Sequence, residues 1–405
     1  MSQRAQRRLP LLLALTALAA CTTTDTVATI AGDGGLGPDA LADALAPGCT
    51  GDTPPRIVDP AGTPLCPAEL AAGVFRHALC ACQEISTNDV FAADSFDSRE
   101  GPYVPGASGG THGDVATNGK LQSTGTFDVR GALTATGDPG IRVSPALTVT
   151  GSLATRGILD GAATTVTVGG DADVGSNITL ADLTVTGTLR VPAEASIAVS
   201  GTQTVGALVR EPVDVPLPCA CDAPALIDVA GLVSTHAGDN DNAVIGLDPA
   251  ALSNFAADTT IELPCGRFYL ERVQSNEGSL TLAVTGHAAL FIREAVTLGR
   301  SLTIDLASGG ELDLFIADHI NVAGDVRIGA PDTPARVRVY VGGAGAINMS
   351  ATSVLAANLY APLTDLSFSA GTEIFGAAFV GRLLTAGPVR IHYDTSVLDP
   401  ASACE

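Results

Sequence analysis

Cysteines, aspartates and histidines are the residues of this 405-residue chain whose types and spacing bear on chemistry. Eight cysteines, Cys49, Cys66, Cys80, Cys82, Cys219, Cys221, Cys265 and Cys404, form an even set suited to as many as four disulfides. Cys80-Ala-Cys82 and Cys219-Ala-Cys221 stand out, because residues two apart on an extended segment face the same side. Four such thiols could gather a soft metal, or the triplets could be bridged to one another, and spacing does not fix the connectivity. In an oxidising compartment bridges are favoured. Asp305, Asp313, Asp318 and Asp325 fall on successive strands or turns and could converge, as the paired carboxylates of a polysaccharide-cleaving enzyme must. Lone acids on the wet side of a strand are more often solubilising charges, and that is the expectation here. Gly238-Asp-Asn-Asp-Asn242 is the densest oxygen-donor run, but it lacks the spacing of an EF-hand and reads as a polar loop. His112, His236, His287, His319 and His392 show no paired ligand spacing, so no zinc site is expected. No Gly-x-x-x-x-Gly-Lys phosphate loop is present. The expectation is a protein without catalytic group, metal or cofactor.

The composition excludes further classes. Lys+Arg total 21 against 43 Asp+Glu, a formal charge of -22, and Lys120 is the only lysine. Nucleic-acid binding needs clustered cations that this chain lacks. A hydrophobic share of 46% is too high for a chain disordered throughout. Aromatics are 4% with no Trp, while Gly 45 accompanies abundant Val, Leu, Ala and Thr, a composition of short strands and tight turns.

The leading segment is an address. Arg4, Arg7 and Arg8 precede the apolar run Leu9–Ala20, which is too short to span a bilayer and ends in Leu18-Ala-Ala-Cys21. That ending resembles a bacterial lipobox, which implies lipid on Cys21, and Thr22 rather than Asp after it implies the outer membrane. Residues 1–20 are thus expected to be a signal peptide and residues 21–48 a disordered tether, polar and glycine-rich.

Downstream elements follow from periodicity. Pro67, Leu70, Val74, Phe75 and Leu79 predict a helix within a cysteine-bearing cap over 49–93. From Phe127 an apolar-x-apolar-x-Gly unit recurs with its glycines at 131, 151, 170, 187 and 201, stepping by 20, 19, 17 and 14 residues. Alternation at period 2, repeated about every 20 residues without helical pattern, predicts stacked β-coils with glycine at the corners. The alternative is an antiparallel sandwich, disfavoured by the scarcity of hairpin turns. The slender interior explains the few aromatics. Residues 94–210 form a first half; Pro212, Pro216, Pro218 and Pro224 break the ladder in an insertion over 211–264, with a short helix from Asp248-Pro249 to about Ala256. A second half spans 265–398, with strands from Leu280 to Tyr393, and 399–405 is a tail. Whether the halves share an axis is left open by spacing.

Two groups of motifs add a resemblance. Asp94-Ser-Phe-Asp-Ser98, Gly101-Pro-Tyr103 and Gly113-Asp-Val-Ala-Thr-Asn-Gly119 resemble the opening of an uncharacterised bacterial surface domain associated with pilus assembly. Gly371-x-x-Ile374-x-Gly376-Ala377 and Val389-Arg-Ile-His-Tyr-Asp394 resemble its closing strands, and the repeat is similar to bactofilin-type coils. The resemblance implies an all-β, right-handed parallel β-helix and assigns no reaction. The expected protein is a lipid-anchored, non-enzymatic envelope scaffold or adhesion and assembly module, periplasmic or surface-facing. Its partners would be the membrane, through the lipid, and an envelope polysaccharide or surface protein. The alternatives are a polysaccharide-active enzyme on the same scaffold and a pilus or secretion-system accessory.

Overall fold

The computed structural model describes residues 55–106, 109–349 and 353–399. The expected signal peptide and tether, with Cys21, Cys49 and Cys404, lie outside the described residues. The body is a parallel β-solenoid of about 13 turns with few helices. Short Val-, Leu- and Thr-rich strands alternate inward and outward residues, and each coil lays them on top of the preceding coil. Three parallel ladders result, one per face. The first carries Phe127–Val129, Leu147–Val149, Val166–Val168 and Leu183–Val185 in register. The second includes Leu133–Ala135 and Leu153–Thr155, and the third Gly140–Val143 and Ile158–Asp160. Parallel pairing throughout these ladders rules out the sandwich; among the described strands, only Ile57–Val58 and Pro64–Leu65 pair antiparallel.

Like residues stack on like within the core, as with Leu290, Leu314 and Val339. Phe91 and Phe127 stack at 4.3 Å between ring centres. The corner glycines form a column of their own. A Cβ on Gly151 would lie 2.7 Å from the Gly131 carbonyl oxygen, and one on Gly170 2.9 Å from that of Gly151. Only glycine lets successive corners approach this closely. The fifth repeat unit departs from expectation: Ile197–Val199 stacks on Ile178–Leu180 of the third face, while Gln203–Val205 continues the first. Its glycine step of 14 reflects that change of face, since the same alternation serves every face equally.

Order along the axis is not order along the chain. The stack begins with Thr259–Leu263, Gly266–Leu270 and Val273–Ser275 and runs through the second half to Ala378–Thr385 and Val389–Asp394. There Leu79–Thr87 pairs with Ala378–Thr385, and Phe91–Phe96 with Val389–Asp394. The first half continues the same ladders and ends at Ile197–Val199 and Gln203–Arg210. The halves therefore share one axis, joined at a seam where the start of one meets the end of the other. At the usual strand spacing the stack is about 60 Å long.

This connectivity demands a return segment, and residues 211–258 supply it as a strap along the outer wall. Its prolines keep it out of the ladders. Helix Val229–His236, capped by the Asp228 side chain accepting from Gly231 N at 2.8 Å, buries Val229, Leu232, Val233 and His236 on one face. Beneath it the outward residues of the second face are aromatic. Phe291, Phe315, Tyr340, Tyr360 and Phe379 stand in register, with successive ring centres 5.1, 4.7, 6.1 and 5.3 Å apart. The rings thus lie mainly outside the narrow core, shielded by the strap.

Three local expectations are corrected. The early helix is Pro67–Val74, and Leu79–Thr87, within the expected cap, and Phe91–Phe96, which begins in it and runs past its boundary at 93, are solenoid strands. No helix spans 248–256; there the Pro249 and Leu252 carbonyls instead accept from Glu271 N and Gln274 N, each at 2.8 Å. The second half begins at Thr259, ahead of the expected boundary at 265.

Candidate functional site

The two cysteine triplets join strap to seam. Cys80 bonds Cys219 and Cys82 bonds Cys221, with S–S distances of 2.00 and 2.08 Å. These four sulfurs are consumed as bridges, which overturns the soft-metal alternative. Cys66 and Cys265 are disulfide-bonded as well. Around the bridges Asn118 clamps the strap backbone, donating to Cys219 O at 2.8 Å and accepting from Cys219 N at 3.0 Å. Farther along, Ile227 N donates to the Tyr360 hydroxyl at 2.9 Å. His236 stacks on Phe291 at 4.2 Å and accepts from Val58 N at 3.3 Å. Burial lowers the affinity of His236 for a proton, and of His77 beneath the strap likewise.

The seam gathers the most reactive side-chain types. Outward positions of three neighbouring strands bring Phe375, His392 and Asp94 into one row. His392 Nδ1 lies 2.7 Å from Asp94 Oδ1, and Nε2 lies 3.2 Å from Glu373 Oε1. The Tyr103 ring stacks on the imidazole at 3.9 Å, and its hydroxyl donates to Asp94 Oδ2 at 2.8 Å. Burial, then the Asp94 contact, pushes the Tyr103 hydroxyl above its ordinary range. Burial also raises the nearby Asp128 carboxyl. Both imidazole nitrogens face carboxylates and one ring face is covered, so the group acts as a clasp between the halves. It unites Asp94 and Tyr103 with His392, from motifs nearly 300 residues apart in the chain. A second row crosses the seam with alternating sign, Asp365, Arg382, Glu84 and Lys120. Arg382 Nε donates to Asp365 at 2.6 Å, and Lys120 lies 3.2 Å from Glu84.

The aspartates considered for catalysis do not converge. Asp305 and Asp325 are exposed, on a first-face strand and the corner before one, and exposed Asp318 contacts His319 at 3.0 Å. Asp313 alone is buried, held by Arg338 through Nε at 2.6 Å and Nη2 at 3.0 Å. Arg338 Nη2 also reaches Glu311 at 3.1 Å, so this pair of carboxylates is bound to a guanidinium. Sequence reasoning missed Arg338 and Glu311; their signal was a charge placed in otherwise continuous apolar strands. In the 238–242 run, Asp239 and Asp241 bind Arg267, while Asn242 bonds both backbone groups of Tyr269. It is a polar loop. His112 is exposed, and His287 approaches Glu311 only to 3.9 Å.

The third face has a different character. Gln274, Thr297, Asn321 and Asn348 occupy equivalent outward positions on successive coils, followed by Ser367. Their neighbours Val296, Leu298, Ile320, Val322, Ile347 and Met349 are buried, which locks the row outward. Asn321 and Asn348 are exposed and the rest half-exposed. Five uncharged side chains about 4.8 Å apart thus offer amide and hydroxyl groups, each able to donate and accept, along a flat surface.

These features define a disulfide-strapped parallel β-solenoid. Residues 221–399 match the family described as a domain of unknown function, DUF7305. The matched stretch begins in the strap and covers the second half up to the seam, including the closing motifs at 371–377 and 389–394 but not the opening motifs at 94–119. The match carries neither the pilus association suggested by those motifs nor the bactofilin likeness suggested by the repeat. No curated protein and no solved structure matches the chain.

Proposed function

We propose that the protein is a non-enzymatic scaffold or adhesion module of the bacterial envelope, tethered by lipid on Cys21, that holds an extended neutral polysaccharide. The observation that supports this reading best is the uncharged row Gln274, Thr297, Asn321, Asn348 and Ser367 on a chain of formal charge -22. Regularly spaced amides and hydroxyls suit a polymer bearing repeated hydroxyl groups, and they need no aromatic platform. The leader ending in Leu18-Ala-Ala-Cys21 and the polar stretch after it support the placement. The experiment is co-sedimentation of the protein with isolated, insoluble envelope polysaccharide, with new reducing or unsaturated ends measured in the same tube. Expected are binding that weakens at least tenfold in Asn321→Ala/Asn348→Ala and no new ends. New ends would make the protein an enzyme, and unchanged binding by the double variant would remove this face from the account.

A further inference from the structure

One end of the solenoid is closed and the other is not. At the closed end, the strand Gly266–Leu270 finds partners in the strap: Arg267 N donates to Asp241 Oδ2 at 2.8 Å, and Tyr269 is held on both sides by Asn242. Leu252 is fully buried against this end, and the strap carbonyls of Pro249 and Leu252 accept from the coil.

At the far end the coil Val191–Arg210 has no such cover among the described residues. In the coil beneath it, Ile178, Leu180, Val185 and Leu189 are between 0% and 2% exposed. The residues in register above them are Ile197, Val199, Val205 and Leu208. The first three are only half-buried, and Leu208 is 48% exposed. Strands Ile197–Val199 and Gln203–Arg210 pair on one side only, with the preceding coil. They contain no proline and no lysine; the one charge on this edge, Arg210, stands in register over the buried Val191 and donates to the Ala195 carbonyl of its own coil, leaving the backbone of the remaining positions unpaired on its outer side. Charge singles out the same surface. Coil 191–210 contains one anion, Glu194, and one cation, Arg210, so it is neutral within a strongly acidic protein. Copies approaching side by side repel, whereas copies meeting through this end do not.

We infer that the open end is a self-association surface, on which a second copy of the chain docks its own coil 191–210. A two-fold axis across the solenoid sets the two free edges antiparallel, pairing their backbone groups and covering the apolar positions of both. The opposite end is closed by the strap, so assembly stops at a dimer and does not propagate as a filament.

Sedimentation velocity of the full chain across a concentration range tests this, with hydrogen exchange read over residues 197–210. A concentration-dependent dimer is expected, with exchange in these strands slowing as dimer forms. Leu208→Lys should weaken it at least tenfold while leaving the circular dichroism, and the melting temperature measured at concentrations where both proteins are monomeric, unchanged, since the side chain is already half-exposed. Three results overturn the inference: a monomer at every concentration, a dimer indifferent to Leu208→Lys, or protection of these strands at concentrations where the chain is monomeric. The last would mean that the chain covers its own end.

Discussion

Removing the two bridges at the seam should have effects that are strongly non-additive. Each joins residues 139 apart in sequence. In the chain-entropy description, closing a loop of that length stabilises the fold by about 5 kcal/mol. Once either bridge exists, however, the other closes only a ring of about six residues, worth about 2 kcal/mol by the same relation. Replacing Cys80 and Cys219 by alanine should therefore cost about 2 kcal/mol, as should replacing Cys82 and Cys221, while removing all four should cost about 7 kcal/mol. The assay is urea unfolding of the three variants, using alanine to avoid free thiols, with slopes compared to verify that the transition remains cooperative. The bridges pin the strap where the two halves meet, so the quadruple variant should also expose the seam strands Leu79–Thr87 and Phe91–Phe96 to exchange first. Simple additivity of the two pairwise losses would refute the reasoning, because it would mean that the bridges do not close the same long loop.

Three further outcomes follow from individual contacts. Gly151→Val forces a side chain against the Gly131 carbonyl, 2.7 Å from where its Cβ must sit, and should cost about 3 kcal/mol in urea unfolding, whereas Gly238→Ala, with open space around it, should change stability by less than about 0.5 kcal/mol. Asp313→Ala removes two of the buried Arg338 guanidinium's carboxylate bonds, leaving it the Glu311 carboxylate alone, and should cost about 3 kcal/mol, with a smaller loss when Arg338 is replaced by methionine in the same chain. His77 and His236 have proton affinities lowered by burial, so below their ordinary value of 6.5 the unfolded chain binds protons that the folded chain refuses. Stability should therefore fall as pH drops through that window, by at most about 1.4 kcal/mol per pH unit for each group, and His236→Gln should flatten the slope of the urea midpoint against pH between 7 and 5.

Much of the fold was legible because solenoid stacking acts locally. Phe127-x-Val129 and Leu147-x-Val149 announce themselves by alternation, and the corner glycines by their recurrence, before any long-range contact is known. The same local character hid the rest. A parallel ladder is indifferent to which segment provides the next strand, so the pairing of Leu79–Thr87 with Ala378–Thr385 leaves no mark that distinguishes it from pairing within a half. Leu79 also falls at helical spacing from Val74 and Phe75, which disguised a strand as the end of a helix.

The strap was the harder element to foresee, yet one pattern bears on it. Ala-Ala-Leu-Phe-Ile292, Leu-Asp-Leu-Phe-Ile316 and Val-Arg-Val-Tyr-Val341 place a ring on the outward position of otherwise inward-facing apolar strands. Strands apolar on both faces must be covered on both, and a chain that doubles back past its own starting point has a segment free to do so. The permuted order and the covered aromatic row are therefore one requirement: residues 211–258 have to travel the outer wall to reach Thr259, and the rings convert that journey into buried contact. The candidate binding face follows from the same geometry, for with the second face occupied by the strap, the uncharged row from Gln274 to Ser367 is left open on the third.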